Sequence, residues 1–314
     1  MVRLAVSAPA SSANVGPGFD SFGLALNNPR DIVEVDAVSG DGRVEVELSG
    51  LTEYSVPTRP ETNSGGVVAK AILERFGLNN NISIKITKRI RPGCGLGSSG
   101  ATAAGVAFAL NKLLGLGLSV EELIGLAAEG ERAAAASPHP DNVAASLLGG
   151  FTMIVSRNPI RVYRIRPPPT LQVCVVYPHF EAERKTEKMR SVIPSTVGLH
   201  DALWNVWHAA AVAAGFALGD IELLGLGMDD AIVERARSKL IPCYEEVKKK
   251  ALLAGAKGVA VSGAGPAMIA FVKMGDVDPY AVLRDMLGAY SDQGVAAEGF
   301  VTVPGEGCLI ESQQ

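Results

Sequence analysis

Eight residues, Pro92-Gly93-Cys94-Gly95-Leu96-Gly97-Ser98-Ser99, bring three glycines and two hydroxyls together just ahead of an alanine-rich run. Glycine lets a backbone take positive φ or come close to a ligand. At the start of a helix, such a turn offers N–H groups and the positive end of the helix dipole to phosphate oxygens. Ser98 or Ser99 would add a hydroxyl for a phosphate or a magnesium ion. A plain glycine-serine helix cap would use the same residues. Gly95-Leu96-Gly97-Ser98-Ser99-Gly100 also fits G-x-G-x-x-G. The dinucleotide fold, however, needs a tight strand-to-helix turn and then a second strand ending in an acid about 20 residues on. Here 88–94 separate strand from loop, and another helix opens at Ser119. No Gly-Lys-Ser/Thr triplet exists, which excludes a Walker A loop. Cys94 reads as a small residue that fits the loop, not as a catalytic thiol.

Other polar residues stand at suggestive places, each with a plainer explanation beside it. Glu131 is a magnesium ligand if it faces phosphate, or a solvated helix charge like Glu129. In Ser137-Pro138-His139-Pro140-Asp141-Asn142, Asp141 is a natural helix N-cap. His139, Asp141 and Asn142 would alternatively meet a substrate or a transferred phosphate. Asn14 and Asp20 belong to a Gly/Pro-rich stretch after the first strand, where binding groups and turn formers both occur. Arg190 and Arg237 interrupt apolar helical segments. A guanidinium is the best bidentate partner for a carboxylate, though lone arginines are commonly solvated. Ser262-Gly263-Ala264-Gly265-Pro266 lets its backbone approach either a ligand or the first glycine loop.

The elements that would carry these residues read as follows. Strands are expected at 4–8, 31–38, 44–48 and 82–87, with 9–20 as a loop. Helices are expected at 66–76 and 101–114, and from a capping box at Ser119-Val120-Glu121-Glu122 to about 136. A hairpin follows at 151–155 and 162–165. Pro167-Pro168-Pro169 marks a boundary that divides the chain into 1–166 and 167–314. Beyond it come a strand at 173–177, helices near 187–193, 200–217, 219–228 and 243–254, and strands at 258–261 and 268–272. A helix near 278–289 and a strand near 297–303 complete an α+β chain in two parts, without a regular βαβ rhythm.

Composition narrows the class. The 314 residues allow a large core. A net charge of −4, without a basic block, argues against a nucleic-acid partner. The longest apolar stretch, 202–218, is interrupted by Asn205 and His208 and reads as a buried helix, not a membrane span. The N-terminus lacks a signal-peptide pattern, so a cytoplasmic location is expected. Cys94, Cys174, Cys243 and Cys308 are too scattered for a zinc site or a disulfide scaffold.

Taken in order, three motifs resemble those of the GHMP kinases. These are Pro9 to Asp20, the loop from Pro92 to Ser99, and the turn from Gly258 to Pro266. Four strings are similar to the homoserine-kinase branch of that family. They are Ser11-Ser12-Ala13-Asn14-Val15-Gly16-Pro17-Gly18-Phe19-Asp20, His139-Pro140-Asp141-Asn142-Val143-Ala144, Thr186-Glu187-Lys188-Met189-Arg190 and Arg237-Ser238-Lys239-Leu240-Ile241-Pro242. The resemblance implies an N-terminal domain of the ribosomal-protein-S5 type and a ferredoxin-like C-terminal domain. It implies an ATP-dependent phosphorylation of L-homoserine in threonine biosynthesis, by a homodimer. Ser98 and Glu131 would hold Mg2+. Pro92, Gly93, Cys94, Gly95, Leu96, Gly97, Ser98 and Ser99 would wrap the phosphates, with Asn63 near the adenine. Asn14, Asp20, His139, Asp141, Thr186, Arg190, Arg237 and Gly263 would line the substrate pocket. Asn142 would lie near the transferred group, with Asp141, Ser98 and Glu131 also catalytic. A shikimate or mevalonate kinase, or a ligand-binding homologue without catalysis, is the alternative.

Overall fold

A computed structural model describes residues 2–51, 54–135, 139–179 and 185–313, with the backbone alone for 2, 133–135, 185 and 186. The chain opens with β1 (Val2–Ala13), β2 (Phe22–Ser39) and β3 (Val44–Gly50). Next come α1 (Ser64–Phe76), β4 (Asn80–Lys88), α2 (Ser98–Leu113), α3 (Val120–Ala135) and α4 (Pro140–Leu148). The hairpin β5 (Phe151–Arg157) and β6 (Ile160–Ile165) follows. Val33 and Val35 of β2 and Ile82, Ile84 and Ile86 of β4 are buried at every second position, as a sheet with one covered face requires. Helix α2 lies on that face. A Cβ at Gly105 would stand 2.9 Å from Val33, so the helix can settle there only without a side chain at that point. The capping box forms, with Ser119 N–H donating to Glu122 Oε2 and Glu122 N–H donating to Ser119 Oγ.

The second half holds β7 (Leu171–Pro178), α5 (Lys185–Ser191), α6 (Leu199–Leu218), α7 (Ile221–Gly227) and α8 (Val233–Arg237). Then come α9 (Tyr244–Leu253), β8 (Gly258–Val261), β9 (Met268–Lys273), α10 (Pro279–Ser291), β10 (Ala297–Thr302) and β11 (Leu309–Gln313). Four of these strands form an antiparallel sheet in the order β10-β7-β9-β8, the ferredoxin-like arrangement. Its two faces feed different cores. Val173, Val175, Ile269 and Phe271 join the core of the first sheet, whereas Cys174, Val176, Met268 and Ala270 face α9 and α10. Phe216 of α6 links the halves. It stacks on Phe151 of β5 at 3.9 Å and meets Phe271 of β9 edge-on at 6.2 Å.

Four expectations are corrected. Pro9 to Ala13 is strand, not loop. Pro9 sits where the β1–β2 register shifts, a place where a missing N–H is tolerated. Strand β2 begins at Phe22, because Phe22 to Leu24 pair with β5 and Gly23 to Ala25 pair with β1, and this outweighs the turn-like Asn27-Asn28-Pro29. Strand β11 returns to the first sheet beside β1 as an edge strand of exposed residues, which the hydropathy pattern does not mark. Helix α6 is not buried. Val212, Gly215 and Phe216 are covered, but Leu199, Leu203, Val206 and Trp207 face outward.

Candidate active site

Three glycine-rich turns meet at one place. In the loop before α2, Gly93, Gly95 and Gly97 all have positive φ, and the turn ends on the N-terminus of the helix at Ser98. The 262–266 turn packs directly on it. Ser262 Oγ donates to the Gly95 carbonyl at 2.7 Å, and Ala267 N–H donates to the Cys94 carbonyl at 2.9 Å. A Cβ on Gly95 would lie 2.4 Å from the Ser262 carbonyl. From the first turn, Asn14 Nδ2 donates to the Gly263 carbonyl, and Gly263 N–H donates to Ala13. The second glycine turn thus approaches the first glycine loop, one of its two open readings. Both border a cleft of about 370 Å3.

Where the glycine loop runs into α2, Ser98, Ser99 and Glu131 line the cleft. Ser98 Oγ donates to the Ile90 carbonyl at 3.0 Å, which leaves its lone pairs as the part available to a cation. Glu131 is buried, and its Oε1 accepts no hydrogen bond among the described residues. Burial pushes its carboxyl up to about 7. The Ser99 hydroxyl and Lys88 oppose that shift, and Asp141 adds to it. A buried orphan carboxylate oxygen near a hydroxyl, beside a glycine loop at a helix N-terminus, is a hard-oxygen donor set suited to Mg2+. Among the described residues, no cluster of three or more His, Cys, Asp or Glu forms a metal site, so phosphate oxygens would complete the coordination.

Beneath this end, Lys88 is buried and ion-paired with Asp31. It also donates to the Ser98 carbonyl at 2.9 Å and Thr102 Oγ1 at 3.1 Å. Asp31 Oδ1 accepts from the N–H groups of Arg89 and Ile90. The pair ties the end of β4 to the first turn of α2 and was not anticipated. Its signal was legible: Lys88 continues the inward phase of Ile82, Ile84 and Ile86, where a lysine needs a buried partner.

The other end is cationic. Arg190 Nη2 donates to Asp20 Oδ2 at 3.1 Å. Arg237 donates from Nε to the Met189 carbonyl and from Nη1 to the Gly263 carbonyl. Burial lowers it to about 10, so it remains a cation at neutral pH. Both guanidinium carbons lie over the ring of Phe19, at 5.7 and 5.3 Å, in cation–π range. Phe19 lines the cleft and was missed, although it stands inside a motif already singled out. His139 Nδ1 is 3.9 Å from Asp20. Burial, with Arg190, Arg157 and Arg237, lowers the His139 pKa against Asp20. Asp141 is buried, and its carboxyl is pushed up to about 6 by burial and then by Asp20. Between the two ends, Asn142 Oδ1 accepts from Ser11 Oγ at 2.9 Å and would lie 2.8 Å from a Cβ on Gly97.

Several expected roles change with these positions. Asp141 is not the N-cap of α4. His139 holds that place, Pro140 fills the first turn position, and Asp141 accepts from the Asn142 N–H. The Cys94 and Leu96 side chains do not line the cleft but belong to the core behind the loop. Asn63 lines the cleft, yet its side chain caps α1 by accepting from Gly65 and Gly66, and it donates to Pro57. The side chain of Thr186 lies outside the described residues, as do Ser137 and Pro138. Asn14, Asp20, His139, Asp141, Asn142, Arg190, Arg237 and Gly263 are brought together with Pro92, Gly93, Gly95, Gly97, Ser98, Ser99 and Glu131.

Residues 64–150 match the family model described as the GHMP kinases N terminal domain, and residues 211–284 match GHMP kinases C terminal. A homoserine kinase of Halorubrum lacusprofundi is 40% identical over 97% of this chain and 98% of its own length. One of Pyrococcus abyssi is 40% identical over 96% and 97%. The chain belongs to the homoserine kinases of the GHMP family. A solved homoserine kinase from Cytophaga hutchinsonii agrees, with a TM-score of 0.90 and 34% identity over 98% of this chain and 97% of that one. The L. major mevalonate kinase shares the GHMP kinase fold alone, at 16% identity and a TM-score of 0.70. The two-part α+β architecture expected of the sequence is the one observed.

Proposed function

We propose that this cleft transfers the γ-phosphoryl group of ATP to the side-chain hydroxyl of L-homoserine, giving O-phospho-L-homoserine and ADP, as a step of threonine biosynthesis in the cytoplasm. The supporting observation is the polarity of one cleft. A glycine loop at a helix N-terminus and an orphan carboxylate form one end, and two arginines facing Asp20 form the other. Arg190 and Arg237 clamp the substrate carboxylate, and Asp20 receives its ammonium. Mevalonate and shikimate carry a carboxylate without an ammonium and would leave Asp20 and Asp141 without their partner.

Ser98 and Glu131 hold Mg2+, which neutralises charge on the phosphates when bound. The amides of 93–99 cradle the phosphates, and the nucleotide base lies toward 55–57 and Asn63. Phosphoryl transfer runs through a loose, metaphosphate-like state, so alignment and charge stabilisation carry most of the catalysis. Asn142, seated over Gly97, orients the transferred group, and no strong general base is used. Asp141 is buried beside Asp20 and serves the ammonium end.

Two copies of the chain pair through α6. Leu199, Leu203, Val206 and Trp207 recur at helical spacing on its outer face and are 40–75% exposed.

The test is ADP release from magnesium-ATP with homoserine, threonine, mevalonate and shikimate supplied separately. Homoserine is expected to give the highest kcat/KM. Turnover with shikimate or mevalonate but not homoserine would sink the assignment.

A further inference from the structure

Arg157 ends β5 and does not line the cleft. Its Nη2 nevertheless donates to the Asp20 carbonyl at 2.9 Å and lies 3.2 Å from Asp20 Oδ2. One guanidinium therefore grips both the backbone and the side chain of the residue that faces Arg190. The grip falls on a residue of unusual backbone conformation. Its φ is +59°, in the left-handed region that aspartate enters more readily than most residues but still at some cost, so contacts that hold the turn also fix where its carboxylate points. Asn14 Oδ1 supports the same turn by accepting from the Asp20 N–H at 3.2 Å.

The Asp20 carboxylate is shared by Arg190, Arg157 and, at 3.9 Å, His139. These contacts differ in direction. Arg190 and His139 reach Asp20 from the cleft wall, whereas Arg157 reaches it from outside. On the functional reading above, a zwitterionic substrate would exchange partners with this network. Its carboxylate takes Arg190, and its ammonium takes Asp20.

We propose that Arg157 is a positioning residue for amino-acid recognition. It holds the Asp20 carboxylate toward the cleft after Arg190 has turned to the substrate carboxylate, and so it sets the preference for substrates that carry an ammonium. This deepens the functional reading above and rests on its assignment of Asp20 to the ammonium.

Steady-state kinetics of the full-length enzyme test it, using R157Q, R157K and D20N. Three constants are measured for each: KM for homoserine, KM for ATP, and the inhibition constant of 4-hydroxybutanoate, which is homoserine without its amino group. In R157Q the homoserine KM is expected to rise about five- to tenfold, the range for a half-exposed charged contact. The ATP KM and the 4-hydroxybutanoate constant should stay within about twofold of wild type, a split that a general loss of structure would not produce. R157K, which keeps the charge but loses the fork, should fall between the two. D20N should weaken homoserine and spare 4-hydroxybutanoate. If D20N does so while R157Q leaves homoserine unchanged, or weakens both ligands equally, the role of Arg157 is wrong. If D20N weakens both ligands equally, the assignment of Asp20 to the ammonium falls, and this inference with it.

Discussion

Glu131 places a carboxylate in the wall of the cleft, with one oxygen buried and unbonded among the described residues. Its carboxyl is raised to about 7, first by burial. The sign of the stability effect follows. A carboxyl whose folded pKa exceeds its unfolded value adds stability that is fully present below the unfolded pKa and is lost as pH rises through the folded one. The ligand-free enzyme should therefore lose roughly 3 kcal/mol between about pH 4.5 and 7 from this group. Urea unfolding at a series of pH values measures it, and E131Q should flatten most of the fall. Asp141, raised to about 6, accounts for a smaller fall in the same direction. An E131Q slope equal to wild type would refute the account. In the sequence, Glu131 and Glu129 look alike, two positions apart on one helix. Only the packing of α3 against α1 and α2 buries one and leaves the other at the surface. The arginines were ambiguous for the same reason, since their meaning depends on Asp20 and Phe19, far away in the chain.

At the scale of elements, the first turn of α2 is held from below by the Lys88–Asp31 pair. Removing one member of a buried ion pair leaves the other uncompensated, at about 3–5 kcal/mol. K88M should be destabilised by that amount in denaturant unfolding. D31N/K88M should recover part of the loss, because no charge is then stranded. A double variant no more stable than K88M alone would show that the pair matters only through packing. The elements themselves were largely legible. The capping box placed α3, apolar alternation placed β4, and short apolar runs placed β7 and β9. The failures have local causes. Pro9 suggested a loop because a proline at a register shift looks the same in sequence as one in a turn. Strand β11 was missed because an edge strand with both faces exposed carries no alternation.

For the whole molecule, the exposed stripe on α6 is the feature that needs a partner. Its apolar residues led to the expectation of a buried helix, and they are reconciled with the structure if a second copy covers them. The proposed pairing predicts that wild type runs as a dimer and that W207E, and more strongly L203E/W207E, runs as a monomer; a monomeric wild type would remove the pairing. Light scattering on a size-exclusion column measures this, with circular dichroism confirming the fold. A variant that stays dimeric would place the interface elsewhere.

The junction of the three glycine turns has a consequence for how the molecule comes into being. Asn14 bonds to Gly263 across 249 positions, and Ser262 bonds to Gly95 across 167. During synthesis, contacts of such sequence separation cannot form until the chain has emerged past residue 263, and each closes a loop across most of its length. A nascent chain that has emerged as far as α4 already possesses the 92–99 glycine loop but not the turn that braces it. The cleft is thus among the last parts of the protein to assemble, and a chain truncated before residue 262 lacks the brace however well its first sheet folds.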